Sequence, residues 1–150
     1  MGDTILLVED NLDDVELTLR AFRKNNIANH MVVVHDGVEA LDYIFCRGAY
    51  VDRTEKAMPR LILLDLKLPK MNGLQVLERL RSEEQSKMVP VVILTSSKEE
   101  SDLITSYRNG ANSYVRKPVD FNQFVDAVKN IGLYWLLINE APPHVDCYHD

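Results

Sequence analysis

Short, wholly apolar runs alternate with amphipathic stretches five times along this chain. The runs are Ile5-Leu-Leu-Val8, Met31-Val-Val-Val34, Leu61-Ile-Leu-Leu64, Val91-Val-Ile-Leu94 and the briefer Tyr114-Val115. A run without in-out alternation predicts a strand covered on both faces, as in a parallel sheet. Between the runs, apolar residues recur at helical spacing: Leu12, Val15, Leu19 and Phe22, then Val38, Leu41 and Ile44 or Phe45, then Leu74, Leu77 and Leu80. The pattern predicts strands over 4–8, 31–34, 60–65, 89–94 and 112–116. It predicts helices from Leu12 to the stop at Asn25-Asn26, and over 37–47, 73–82, 98–109 and 120–139. Asn11 or Asp13 can cap the first helix, and Gly110 suits the end of the fourth. Residues 46–60 read as a loop or helix extension. Five such units make one α/β domain over residues 1–140, with right-handed crossovers and helices on both sheet faces, followed by a polar tail, 141–150.

Polar residues stand where the apolar runs stop. Glu9 and Asp10 follow the first, Asp65 the third, Thr95 the fourth, and Lys117 lies two positions beyond Val115. In an open parallel sheet ligands bind just beyond the carboxyl ends of the strands. The pattern therefore gathers carboxylates, a hydroxyl and an ammonium into one crevice. A carboxylate there can act as nucleophile toward a phosphoryl group, whose charge a divalent cation offsets well. Mg²⁺ takes oxygen ligands, and Asp10, Asp65 and the backbone carbonyl of Lys67 can supply them, with Glu9 holding a metal-bound water. Taken singly, Asp10 or Asp65 is as readily a helix cap or turn residue, and Lys117 a solvated lysine. It is their common placement that points to chemistry.

Composition narrows the classes. The 150 residues suit one domain, 46% hydrophobic and 27% charged, with a net charge of −6 that disfavours sequence-independent nucleic-acid binding. No apolar stretch approaches the roughly 20 residues of a membrane span, and the start lacks a basic leader, so a cytoplasmic protein is expected. Cys46 and Cys147 fit neither a disulfide framework nor a zinc site and read as reduced thiols.

Val8-Glu9-Asp10, Leu64-Asp65-Leu66 with Pro69 and Asn72-Gly73 after it, Leu94-Thr95-Ser96 and Lys117-Pro118 together resemble the receiver domain of two-component response regulators. The resemblance covers about residues 3–138. It implies a flavodoxin-like sheet of order 2-1-3-4-5, a phosphoacceptor at Asp65, and Mg²⁺ (or Mn²⁺) at Glu9, Asp10, Asp65 and the Lys67 carbonyl. It also implies a phosphate-binding Lys117 and a switch made of Thr95 and Tyr114. The Lys117–Pro118 bond is a candidate cis peptide. The phosphodonor would be a histidine on a partner kinase, and the protein a switch rather than an enzyme, with at most slow self-dephosphorylation. The acidic stretch Glu9 to Asp14, the segment Cys46–Arg60 and the ending Leu133-Tyr-Trp-Leu-Leu137 look closest to the stand-alone regulators that partner cyanobacterial phytochromes.

Leu133-Tyr-Trp-Leu-Leu-Ile138 is apolar on consecutive positions, more than one helical face can bury. Tyr134, Trp135 and Leu137, with Tyr107, predict an exposed dimer face on the fourth helix, fifth strand and fifth helix. Two other functions fit less well. A haloacid-dehalogenase-type phosphatase needs a second Asp two residues after the nucleophile, where this chain has Lys67. A flavodoxin-like cofactor binder needs a Gly- or Ser/Thr-rich phosphate loop after the first strand, where this chain is acidic.

Overall fold

The computed structural model describes residues 3–117, 120–143 and 146, with side chains omitted at 137 and 138. Strands β1 (Ile5–Val8), β2 (Met31–Val34), β3 (Leu61–Leu64), β4 (Val91–Thr95) and β5 (Ser113–Arg116) form one parallel sheet in the order 2-1-3-4-5. Helices α1 (Leu12–Lys24), α2 (Gly37–Ile44), α3 (Gly73–Ser82), α4 (Glu100–Arg108) and α5 (Phe121–Gly132) follow the strands in turn. The expected fold is the observed one.

The two sheet faces are separate apolar layers. Leu6, Val8, Ile62, Leu64 and Ile93 pack with Ala40, Leu41 and Ile44 of α2 and Val76, Leu77 and Leu80 of α3. Their alternating neighbours Ile5, Leu7, Leu61, Leu63 and Leu94 pack with Ala21 and Phe22 of α1 and with Phe124, Val128 and Ile131 of α5. Burial of both faces is why these strands show no polar alternation. Each fully buried leucine or isoleucine stabilises by about 1.5–3 kcal/mol.

Caps fix where the helices start, and so where the strand-end residues point. The Asn11 side chain accepts from the Asp14 amide at 3.1 Å, which makes Asn11 the cap of α1. Asn72 and Gln75 form a reciprocal capping box at α3, both bonds 3.0 Å. At the end of α4, Gly110 takes φ +97°, as the cap reading required.

Several expectations need correction. Leu12 is 71% and Val38 41% exposed, although both continue an apolar helical pattern. Each is at the first turn of its helix, which overhangs the open carboxyl edge of the sheet, so no layer covers it. The fifth helix stops at Gly132 and continues as a π-helix over Leu133–Ile138. The wider turn lets Trp135 and Leu136 pack against the α1–α5 layer while Tyr134 stays 48% exposed. Arg60 fastens this segment by donating to the Leu136 carbonyl at 2.9 Å.

Cys46 is disulfide-bonded, not the reduced thiol expected. The sequence separation of the two cysteines misled. Asp146, the neighbour of the second cysteine in sequence, forms an antiparallel bridge with Ala57. Cys147 itself, like the proposed cis bond at Pro118, lies outside the described residues.

Candidate functional site

Register assembles the site. Val8 pairs with Leu64, and the Asp65 amide donates to the Val8 carbonyl at 3.1 Å, so Glu9 and Asp65 emerge side by side. Thr95 pairs with Arg116, and the Lys117 amide donates to the Thr95 carbonyl at 2.8 Å, which brings Lys117 in from the next strand over. One carboxylate oxygen from each of Glu9, Asp10 and Asp65 can be chosen so that all lie within 4.8 Å of one another. They line an open cleft of about 550 Å³ with Asn11, Leu12, Asp13, Asp14 and Ser96. Glu9 is buried, Asp65 is 8% exposed, and Asp10 faces solvent.

The Lys117 ammonium lies among three carboxylates. It contacts Glu9 Oε1 closely, Asp14 Oδ2 at 3.0 Å and Asp65 Oδ2 at 3.6 Å. Burial disfavours the ammonium, but the hydrogen bond it donates to Glu9 and the fields of Asp65 and Glu9 outweigh it and raise the lysine's pKa. Burial also pushes the Glu9 carboxyl up, to about 7; the Lys117 hydrogen bond opposes this and the Asp65 charge reinforces it.

Thr95 is fully buried, and its Oγ1 accepts from the Ser97 amide at 3.3 Å. Ser97 Oγ accepts from the Glu99 amide and donates to Asp102 Oδ2 at 2.6 Å, so Ser97 ties the end of β4 to the start of α4. Tyr114 packs inward against the α2–α3 layer with its hydroxyl buried and without a partner, and burial raises its ionisation above the usual phenol value. The Lys67 amide donates to Asp65 Oδ1 at 3.5 Å. Tyr107 is 50% exposed on α4, and Trp135 is half-buried with its ring edge-on to Tyr134 at 4.9 Å. The Leu137 side chain lies outside the described residues. Sequence reasoning missed Asp14. Its signal was present, since a carboxylate four residues after Asp10 on a helix starting at Leu12 is one turn from the strand end.

An all-oxygen cluster of this charge suits a hard divalent cation such as Mg²⁺ or Mn²⁺. The chain matches the model of the response regulator receiver domain over residues 5–129, and it belongs to that family. Among its relatives, the response regulator Rcp1 of Synechocystis is 35% identical over 88% of each chain. A crystal structure of the Mn²⁺-bound form of Rcp1 superposes with a TM-score of 0.85 over 94% of this chain and 99% of that one. The phosphorylated cyanobacterial phytochrome response regulator RcpA is 36% identical with a TM-score of 0.87, covering 95% of this chain and all of that one. The bacteriophytochrome response regulator RtBRR is 51% identical with a TM-score of 0.77, covering 95% and 86%. The likeness to phytochrome response regulators therefore holds in sequence and in fold. Among the described residues, no helix is long and apolar enough to cross a membrane.

The Glu9 shift has a measurable consequence. Glu9 ordinarily titrates at 4.5 and in the fold at about 7, so between these values the native state binds more protons than the unfolded chain. Stability must then fall as pH rises through that window. The raised Lys117 pKa adds stability that is lost only above the ordinary lysine value of 10.5, outside the window. The metal-free protein is expected to lose melting temperature between about pH 5 and pH 7.5, relative to Glu9→Gln. Saturating Mg²⁺ should remove the decline, because the cation prefers the ionised cluster. Parallel melting curves of wild type and Glu9→Gln across this range would refute the assignment.

Proposed function

We propose that this chain is a phosphoacceptor switch that takes a phosphoryl group on Asp65 from a phosphohistidine of a partner kinase. The observation that carries this reading is the company of Asp65: two further carboxylates in metal-binding range on one side and a buried ammonium 3.6 Å away on the other. An Asp65 carboxylate oxygen attacks phosphorus, and the P–N bond breaks with its electron pair going to nitrogen. The imidazole, already protonated on its other ring nitrogen, leaves neutral, giving an acyl phosphate. Asp10, Asp65 and the Lys67 carbonyl would hold Mg²⁺, with Glu9 beside it, and the cation would supply charge neutralisation. Lys117 turns from its carboxylates toward the phosphoryl oxygens. Thr95 Oγ1 hydrogen-bonds another of them once Ser97 has released it.

Neutralisation without a dedicated acid or base favours storing the phosphoryl group, and Lys67 stands where such a group would be needed. Slow self-dephosphorylation is therefore part of the reading. Output is by contact through a population shift. Tyr114, packed inward against the α2–α3 layer, is the side chain whose conformer Thr95 would bias. The named relatives support a phytochrome-type kinase as donor and a receiver domain over residues 1–140.

The test is incubation with Mg²⁺ and a small acyl-phosphate donor, followed by mass measurement. Wild type should gain one acid-labile phosphoryl group, and chelation of the metal should prevent it.

The reading includes a homodimer through α4, β5 and α5. Tyr107 is exposed on α4, and Tyr134 lines an apolar groove of about 330 Å³ with Val115, Ala127, Ile131 and Trp135. Sedimentation should show a dimer whose dissociation is promoted by Tyr134→Glu. A monomer mass at all concentrations would remove this part.

A further inference from the structure

Asp14 is in contact with the site yet outside its metal cluster. Its carboxylate receives the Lys117 ammonium at 3.0 Å, closer than Asp65 does at 3.6 Å. Among the described residues, the carboxylates close enough to share a cation are those of Glu9, Asp10 and Asp65. Glu9 is thus asked to serve two cations, since Lys117 already contacts Glu9 Oε1. A divalent ion engaging Glu9, directly or through a water, competes with the ammonium for that carboxylate's charge and favours its displacement. The displaced ammonium, 10% exposed, would be left in a poorly hydrated place without a counter-charge unless another carboxylate holds it.

Asp14 is built to stay put. Its amide donates to the Asn11 side chain at 3.1 Å, and its carbonyl accepts from Thr18 Oγ1 at 2.7 Å, which locks the first turn of α1. Its side chain remains 35% exposed, whereas that of Glu9 is 2% exposed.

We propose that Asp14 is the positioning residue for Lys117, the berth that retains the ammonium when a divalent cation takes over Glu9 and Asp65. Asp14 lets metal and lysine occupy the site together, with the lysine held one short swing from the phosphoacceptor. The proposal rests on the metal site and the Asp65 reading above, and deepens them by assigning what keeps the two cations from excluding each other.

The distinction from a general charge effect can be measured without any phosphoryl transfer. Mn²⁺ affinity is titrated by water-proton relaxation on the full chain for wild type, Asp13→Asn, Asp14→Asn and Asp14→Glu. The series is then repeated in a Lys117→Gln background. Asp13→Asn removes the same charge from the same helical turn. Asp14→Asn should weaken Mn²⁺ about 3- to 10-fold more than Asp13→Asn, while Asp14→Glu should stay within about 2-fold of wild type, the scale of one partly exposed charge pair. With Lys117→Gln the excess loss should vanish, as a coupling carried by that lysine requires. Equal losses in the two asparagine variants, failure of Asp14→Glu to rescue, or an excess loss that persists without Lys117 would each overturn the role of Asp14. A wild type that binds no Mn²⁺ would instead overturn the metal site itself, and the proposal with it.

Discussion

Asp65→Asn is expected to take up no acid-labile phosphoryl group under conditions that load the wild type, a loss of roughly 10³-fold or more in rate, the scale of removing a nucleophile. An amide oxygen is a poor nucleophile and cannot give a stable acyl phosphate. The substitution is close to isosteric, so the fold should survive it. The backbone bond from the Asp65 amide to Val8 is untouched, and the Lys67 amide keeps an oxygen to donate to. Stability should hold or rise, because one member of a mutually repelling carboxylate set loses its charge. The Asp65 charge is one cause of the raised Glu9 pKa, so that value should move down in the variant. Mass measurement after incubation with Mg²⁺ and a small donor reads the first expectation, and thermal melting the second. If the variant gained as much phosphate as wild type, the acceptor would be another residue and the function proposed for Asp65 would be lost.

The sequence carried the strands because both faces of the sheet are covered, so each strand announces itself as an uninterrupted apolar run. It carried Glu9, Asp10, Asp65, Thr95 and Lys117 because the runs end abruptly where backbone leaves the core. Long-range pairing was less legible. That Lys117 reaches across the sheet to Glu9 and Asp14 depends on strand order, and no spacing in the sequence encodes it. Helical periodicity also overstated burial at Leu12 and Val38, since period alone does not say how far the neighbouring layer extends. The surplus apolar residues after Gly132 were visible as a conflict with one helical face. Widening to a π-helix, which buries part of Trp135 and Leu136, was not. The disulfide at Cys46 was not legible, because the wide spacing of two cysteines does not say which segments meet, and the Ala57–Asp146 bridge is a long-range pairing.

Gly73→Ala should be damaging out of proportion to one methyl group. Gly73 is the first residue of α3, and its amide donates to the Leu66 carbonyl at 2.8 Å, folding the helix start back over the loop that carries Asp65. A Cβ built there would lie 2.2 Å from the Asp65 carbonyl oxygen and 2.7 Å from Leu66 Cα. Both are backbone atoms, so no rotamer change relieves the overlap, and either the helix or the loop must move. Overpacking of this kind costs about 1–3 kcal/mol, and a weakened Gly73–Leu66 hydrogen bond adds about 1 kcal/mol. The higher helix propensity of alanine returns at most about 1 kcal/mol, and less at a first helical turn. A net loss of roughly 3 kcal/mol is expected, read as a lower urea midpoint at unchanged slope. The displaced loop also carries Asp65, and a misplacement near 1 Å can lower a phosphoryl-transfer rate by about 10²-fold. Gly132→Ala is the control. Its Cβ would meet only the Ile27 side chain, Cδ1 at 2.5 Å and Cγ1 at 3.4 Å, which can rotate away. That variant should lose less than about 1 kcal/mol, the usual cost of a contact that can relax, and keep the wild-type phosphorylation rate. Should Gly73→Ala match wild type in both midpoint and rate, the close seating of α3 on the Asp65 carbonyl would be wrong.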